Sequence, residues 1–138
     1  VVISILPEVP YPDAVAELVD LLVRLEGALW SVCIAPFGPN LQISVRSNER
    51  DARAGEMLAS LLPPGTAGGH GMVAGGRVTL DGGDWRAVSC KIASDLLRKL
   101  GRSGRKSRWL VPKPDGASAN RKAGSQLLEE LPLERVPT

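Results

Sequence analysis

The sequence is short of the residues from which most catalytic and metal sites are built. Its 138 residues contain one histidine, His70, and two distant cysteines, Cys33 and Cys90, without CxxC spacing. A multi-histidine metal site is therefore excluded, a Cys/His zinc site is not expected, and a Ser-His-Asp or Cys-His catalytic arrangement would depend on His70. Without a disulfide framework, a reducing, cytoplasmic setting is the default.

Aromatic residues and long apolar runs are also scarce. Aromatics make up 4% of the chain, so aliphatic side chains must fill most of the core of a single domain that is 43% hydrophobic. No apolar stretch reaches the roughly 18 residues of a membrane-spanning helix, and no basic segment precedes the apolar start as in a signal peptide. Because the first residue is Val1 rather than methionine, we expect a piece of a longer protein.

Charge is distributed unevenly along the chain. Residues 1–97 contain seven Lys or Arg against eleven Asp or Glu, whereas residues 98–138 contain ten against four. We therefore predict a domain over residues 1–101 and a basic, flexible tail over residues 102–138. The tail is either an electrostatic arm for nucleic acid or a solvated terminus, and the second is favoured because short basic runs are common.

The apolar patterns predict the order β-α-β-β-α-loop-β-α. Helical spacing of apolar residues predicts helices over residues 13–26 and 86–100 and a further helix that begins at Asp51. The predicted strands are Val1–Leu6, Leu29–Phe37, Leu41–Arg46 and Arg77–Leu80. Strands interleaved with helices favour an α/β fold in which helices flank a mixed β-sheet.

A glycine-rich stretch, predicted as a loop, carries the only histidine. Glycine backbones can approach a ligand closely, and successive N–H groups form anion-binding concavities, where His70 would add a hydrogen bond to phosphate. The stretch lacks the GK[ST] ending of a Walker A loop. A mobile turn with a surface histidine is the alternative. The glycines are Gly68, Gly69, Gly71, Gly75 and Gly76.

A second phosphate-binding candidate ends the alternating strand. Arg46 can make a planar, bidentate contact to phosphate, and Ser47 and Asn48 follow it with short polar side chains. The alternative is a surface salt bridge, to Glu49 or Asp51, that would contribute little stability.

The two motifs together resemble the DHHA1 domain, the C-terminal substrate-binding domain of DHH-type phosphoesterases. That family includes oligoribonuclease-like enzymes, single-strand exonucleases and exopolyphosphatase-related proteins. Its members have a strand that ends in S-x-R-S, then a helix, then G-G-G-H-x-x-A-A-G. Ser44–Ser47 reads SVRS, and the later stretch reads AGGHGMVAG, departing from the pattern at Ala67 and Val73. The likeness covers about residues 12–100 and implies a DHHA1-like α/β fold.

The resemblance implies a role in phosphate-ester chemistry. The chain would bind substrate for a manganese-dependent hydrolase of phosphodiesterase or exonuclease type, and would be inactive alone. Manganese would be held by an N-terminal DHH domain of the parent chain, so no metal ligand, cofactor or catalytic residue is expected here. The substrate would be short single-stranded nucleic acid or a nucleotide phosphate, and a homodimer stays open.

The resemblance also assigns the site residue by residue. The implied phosphate- and substrate-binding residues are Arg46, Ser47, Gly68, Gly69, His70 and Gly75. The first two would contact phosphate, the next three would contact substrate, and the last would permit tight packing beneath the loop. Asn48 and Arg77 are weaker candidates.

Two other functions stay open at this point. The chain is alternatively an interaction or dimerisation module without a ligand. With less support, it is a stand-alone hydrolase that uses His70 as acid or base.

Overall fold

The computed structural model describes residues 1–111, which form a five-stranded sheet and three helices. The elements are β1 (Val2–Ile5), α1 (Ala14–Leu22), β2 (Trp30–Phe37), β3 (Asn40–Ser47), α2 (Ala54–Ala59), β4 (Ala67–His70), β5 (Val73–Thr79) and α3 (Trp85–Lys99). The strand order is β1-β2-β3-β5-β4. Because β1 pairs parallel with β2 and the remaining neighbours pair antiparallel, the predicted α/β fold with a mixed sheet is confirmed.

Helix α1 packs on one face of the sheet, here called the α1 face. Val15 and Val19, four residues apart and so on one side of the helix, form a buried cluster with Cys33 and Ala35 of β2. Burial raises the pKa of the Cys33 thiol to about 11, so the thiol stays protonated at neutral pH. Cys33 is therefore a small apolar core residue.

Helix α2 packs against β4 and β5 on the opposite face, here called the α2 face. Ile43 and Val45 of β3 and Ala74 of β5 alternate onto this face and are buried. The helix approaches the sheet most closely at Gly55, where an added Cβ would overlap the backbone of Gly69. Glycine at this helix position therefore sets the distance between α2 and the sheet.

The glycine-rich stretch is a β-hairpin and not the predicted loop. Strands β4 and β5 pair antiparallel through a turn of two residues, with His70 opposite Val73. Strand β5 is held by β3 along its length, from the Arg46–Val73 pair to the Asn40–Thr79 pair. This long-range pairing outweighs the low strand propensity of glycine, and it extends the strand predicted at Arg77–Leu80 towards the N-terminus.

The chain divides into two compact units, Val1–Trp85 and a second unit that begins at Arg86. The second unit contains nearly all of α3, in which Lys91 and Arg98 donate hydrogen bonds to Asp95 at 2.7 and 2.8 Å. The hydrogen bond from Lys91, helped by the charges of Lys91 and Arg98, holds the pKa of Asp95 below its ordinary value, although burial of the carboxyl acts in the opposite direction.

The predicted tail is described only in part. Residues 102–111 contain no helix or strand and are mostly exposed, and residues 112–138 lie outside the described residues. The predicted boundary after residue 101 therefore stays a prediction. None of the helices within residues 1–111 combines the length and the apolar character needed to cross a bilayer.

Candidate functional site

The α1 face is only partly covered. Helix α1 lies against β2 and β3, and the exposed residues of β5 and β4 extend beyond it. Residues directly opposite each other in antiparallel strands share a face, so the register arranges the side chains of this face in rows across the strands.

The central row has almost no side chains. It consists of Gly68 of β4, Gly75 of β5 and Ser44 of β3, which are paired in that order. A Cβ added at Gly68 would meet nothing within 4 Å, and one added at Gly75 would meet only the Ile43 carbonyl oxygen at 3.7 Å. The peptide backbone is therefore accessible from solvent at Gly68 and Gly75, whereas Ser44 at the inner end of the row is buried.

Larger side chains flank the central row on both sides. One neighbouring row contains His70, Val73 and Arg46, and the other contains Arg77 and Gln42. Each row lies two residues along the strands from the central row, so the flanking rows are about 13 Å apart. We call this arrangement the open trough: a floor of Gly68, Gly75 and Ser44 between these two flanking rows.

The N-terminal part of α1 closes the inner end of the open trough. A cavity of about 490 Å³ lies there, within the size range of ligand sites. It is lined by Pro12, Asp13, Val15 and Ala16 on the helix side and by Gln42, Ile43, Ser44, Gly65, Thr66, Gly75, Gly76, Arg77 and Thr79 on the sheet side.

Arg46 lies beside the open trough but already has partners. Its Nε donates to Asp20 Oδ1 at 2.6 Å, and its Nη1 donates to the Val45 carbonyl oxygen at 3.0 Å. The salt bridge that the sequence allowed therefore exists, with Asp20 of α1 rather than with Glu49 or Asp51. The Arg46 side chain is 16% exposed, so a phosphate would have to share it with, or take it from, Asp20.

Ser47 is not brought together with Arg46, because successive side chains of a strand point to opposite faces. The Ser47 hydroxyl is buried, donates to the Leu29 carbonyl oxygen at 3.0 Å and accepts from the Glu49 N–H. Asn48 also contacts the segment between α1 and β2, since its Nδ2 donates to the carbonyl oxygens of Val23 and Ala28. Ser47 and Asn48 thus stabilise the fold through hydrogen bonds to the backbone, and neither belongs to the open trough.

The glycine motif is also split between the two faces. Gly68, Gly75 and His70 belong to the open trough, whereas Gly69 lies against α2. The expected role of Gly75 beneath a loop is corrected, because Gly75 is part of the accessible floor. Among the residues implied by the motifs, the structure therefore assembles Arg46, Gly68, His70 and Gly75.

The sequence prediction gave too little weight to one residue of the open trough and omitted another. Arg77 is only a weaker candidate in the sequence and Gln42 is not a candidate, because the β3–β5 pairing that places them opposite each other is not evident in the local sequence. Within residues 1–111, the side chains of His70, Gln42 and Arg77 have no hydrogen-bond or ion-pair partner. They are therefore available to a ligand without breaking any contact of the fold.

The described region offers no cluster of three or more His, Cys, Asp or Glu side chains that could hold a metal ion. The chemistry of the open trough is instead that of hydrogen-bond donors, two arginines and an accessible backbone. Such groups bind and orient a ligand.

Comparisons with known proteins define the class of fold. No protein-family model matches the chain, and no curated protein matches its sequence. The fold is similar to the crystal structure of the C-Ala domain from Aquifex aeolicus alanyl-tRNA synthetase, with a TM-score of 0.52 and 19% identity. The similarity covers 70% of this chain and 88% of that domain, so the two share a fold.

This similarity corrects the functional expectation. The matching domain comes from a tRNA synthetase, which points away from a substrate-binding domain of a DHH phosphoesterase. That functional assignment is therefore wrong. The resemblance of the SVRS and AGGH motifs to DHHA1 stays a prediction, as does manganese in another domain.

Proposed function

We propose that this chain is a nucleic-acid-binding domain and that the open trough is its binding surface. The observation that carries the proposal is a floor of Gly68 and Gly75 on which no side chain keeps a ligand from the backbone. The flanking Arg77 and His70 have no intramolecular side-chain partner among the residues described. A sheet face bare of side chains lets a nucleic-acid strand lie close to the sheet, where the Arg77 guanidinium can donate to its phosphate oxygens.

The charge distribution limits how this surface can work. The first unit is acidic overall, so long-range attraction of a polyanion must come from elsewhere in the chain. Residues 98–108 contain six Lys or Arg and no Asp or Glu. This basic segment supplies the non-specific electrostatic part of binding, and the open trough supplies close contacts to backbone and bases.

The fold similarity indicates which nucleic acid to test first. The similar C-Ala domain belongs to a synthetase that acts on tRNA, so tRNA is the first ligand to test. A single-stranded RNA is the second, because its unstacked bases and its phosphates can both reach a bare sheet face. Both probes present the same phosphates, and comparing them separates recognition of a folded RNA from recognition of a strand.

The proposal predicts a specific effect of Arg77. Arg77→Gln is expected to weaken binding of tRNA or single-stranded RNA by about threefold to tenfold, and to reduce the salt dependence of the affinity by about one phosphate contact. Fluorescence anisotropy titrations of the full chain at low and moderate salt measure both quantities.

The matched control is Arg53→Gln. Arg53 is exposed and paired with Glu56 beside α2, on the other face of the sheet, so its loss is expected to change affinity less than about twofold. Flat titrations of the unaltered chain with both RNAs would contradict the proposal and favour an interaction module without a nucleic-acid ligand.

A second prediction concerns the pairing of Arg46. Asp20→Asn removes a negative charge beside the open trough and releases the Arg46 Nε, so RNA affinity is expected to rise by about threefold at low salt. The loss of stability is expected to stay below about 1 kcal/mol, because the Asp20 side chain is half exposed.

Anisotropy and urea unfolding of the same variant measure the two effects. Glu26→Gln, which removes an exposed acid just after α1, is the control for net charge alone. Equal gains in the two variants would mean that the release of Arg46 contributes nothing, and weaker binding in Asp20→Asn would contradict a ligand near Arg46.

A further inference from the structure

The cavity at the inner end of the open trough has a hydrogen-bonding pattern that a phosphate contact by Arg77 does not account for. Asp13 can only accept hydrogen bonds, Arg77 can only donate, and Gln42 can do both. Gln42 and Arg77 are directly opposite each other on β3 and β5, and Asp13 lines the same cavity from the helix side. Three different polar groups therefore converge on one small volume.

The carboxylate of Asp13 has no structural role in the fold that explains its position. It precedes α1, and its backbone carbonyl accepts from the N–H groups of Ala16 and Glu17. Its carboxylate makes no capping hydrogen bond to the helix. In contrast, the neighbouring Glu17 carboxylate accepts from the Tyr11 hydroxyl at 2.6 Å. Asp13 is thus the acceptor on this wall that is available to a ligand.

The floor of the cavity leaves room for a planar group. Its floor at Gly75 is bare backbone, and none of the residues that line it is aromatic. A planar ligand can therefore lie flat on the peptide groups of β5 without displacing a side chain. A phosphate alone would leave the Asp13 carboxylate facing another anion, which is unfavourable.

We infer that this cavity binds an unpaired guanine base of the bound nucleic acid. Guanine presents two adjacent donors, N1–H and N2–H, which match a carboxylate such as that of Asp13. It also presents the acceptors O6 and N7, which match arginine, here Arg77, and the amide of Gln42. Adenine has no N1–H and no N2 amino group, so it leaves the carboxylate unmatched. Because the base uses its Watson–Crick edge, it must be unpaired.

This inference rests on the proposed function, and its test separates the two. Short RNA oligonucleotides that differ only in a central guanine, hypoxanthine or adenine are titrated into the full chain by anisotropy. We expect the guanine oligonucleotide to bind about tenfold tighter than the adenine one, since a good bidentate pair discriminates by about this much. Hypoxanthine lacks the N2 amino group and should bind with intermediate affinity.

Asp13→Asn is expected to reduce the guanine preference to within about twofold while the adenine oligonucleotide binds as before. Glu8→Gln is the matched control, because Glu8 is an exposed acid ahead of α1 that does not line the cavity. Amide NMR shifts at Gln42 and Gly75 locate the bound base in both proteins.

The outcomes distinguish the guanine inference from the proposed nucleic-acid binding. Equal affinity for the three oligonucleotides, or a guanine preference that survives in Asp13→Asn, would overturn the guanine inference and leave nucleic-acid binding standing. Failure of tRNA and all oligonucleotides to bind would overturn the proposed function and the inference together.

Discussion

Replacing Gly69 with alanine is expected to lower the free energy of unfolding by about 3 kcal/mol or more. Gly69 has a φ of +148°, a region that residues with a side chain rarely adopt at a cost of about 1–3 kcal/mol. A Cβ at this position would overlap the carbonyl oxygen of Val73 and come within 2.6 Å of the Ala74 Cα. Both obstacles are backbone of the paired strand, so they cannot move without disturbing the hairpin.

The neighbouring glycine provides the control. Gly68 has no positive φ and open space where a Cβ would be, so Gly68→Ala is expected to change stability by less than about 0.5 kcal/mol. Urea unfolding of the two variants measures the difference between chemically identical changes one residue apart. Similar stabilities for both variants would contradict the placement of Gly69 against β5.

The strands that could be predicted are those whose pattern is set by burial. Strand β3 alternates because one face is packed and the other partly polar, and β2 is apolar except for Ser31 because both faces of its first six residues are buried. The same alternation already implied that Arg46 and Ser47 point to opposite faces. The motif placed both residues in one phosphate site, but the alternation of the strand predicts their orientation correctly.

Element ends were harder to predict because they depend on backbone conformation rather than on apolar spacing. The second helix begins at Ala54 rather than Asp51, since Arg53 has a left-handed φ of 48° that no helix admits. The first helix ends at Leu22, several residues before the predicted end at residue 26. Nothing in the local apolar pattern of either segment signals these conformations.

The glycine-rich hairpin could not be predicted from local sequence at all. Glycine has neither side-chain alternation nor strand propensity, so a glycine-rich strand resembles a loop when read alone. Its conformation is fixed by β3, which lies far away in the chain. The open trough results from that pairing. The sequence alone therefore does not predict that Gln42 and Arg77 lie on one surface with His70.

Sterics explain some of the glycines but leave others unexplained. Gly69 and Gly55 are required by close contact between β4, β5 and α2. Gly68 and Gly75 have room for a side chain, and a glycine inside a strand costs stability without any gain in packing. The open floor therefore trades stability for access to the backbone, as binding surfaces commonly do.

This argument predicts that a side chain at Gly75 separates binding from stability. Gly75→Ile places a β-branched residue on an exposed strand position, so stability is expected to stay equal or rise by up to about 1 kcal/mol. The same side chain fills the open trough, so RNA affinity is expected to fall by about tenfold or more, equivalent to at least about 1.4 kcal/mol of binding free energy.

Gly75→Ala provides the graded control. Its Cβ meets only the Ile43 carbonyl oxygen at 3.7 Å, an ordinary contact, so a small loss of affinity is expected with stability near that of the unaltered chain. Anisotropy and urea unfolding of the pair test whether affinity falls with side-chain volume while stability does not. Unchanged RNA binding in Gly75→Ile would place the ligand on another surface. A parallel loss of stability and affinity would mean that Gly75 serves packing, which the free space above it argues against.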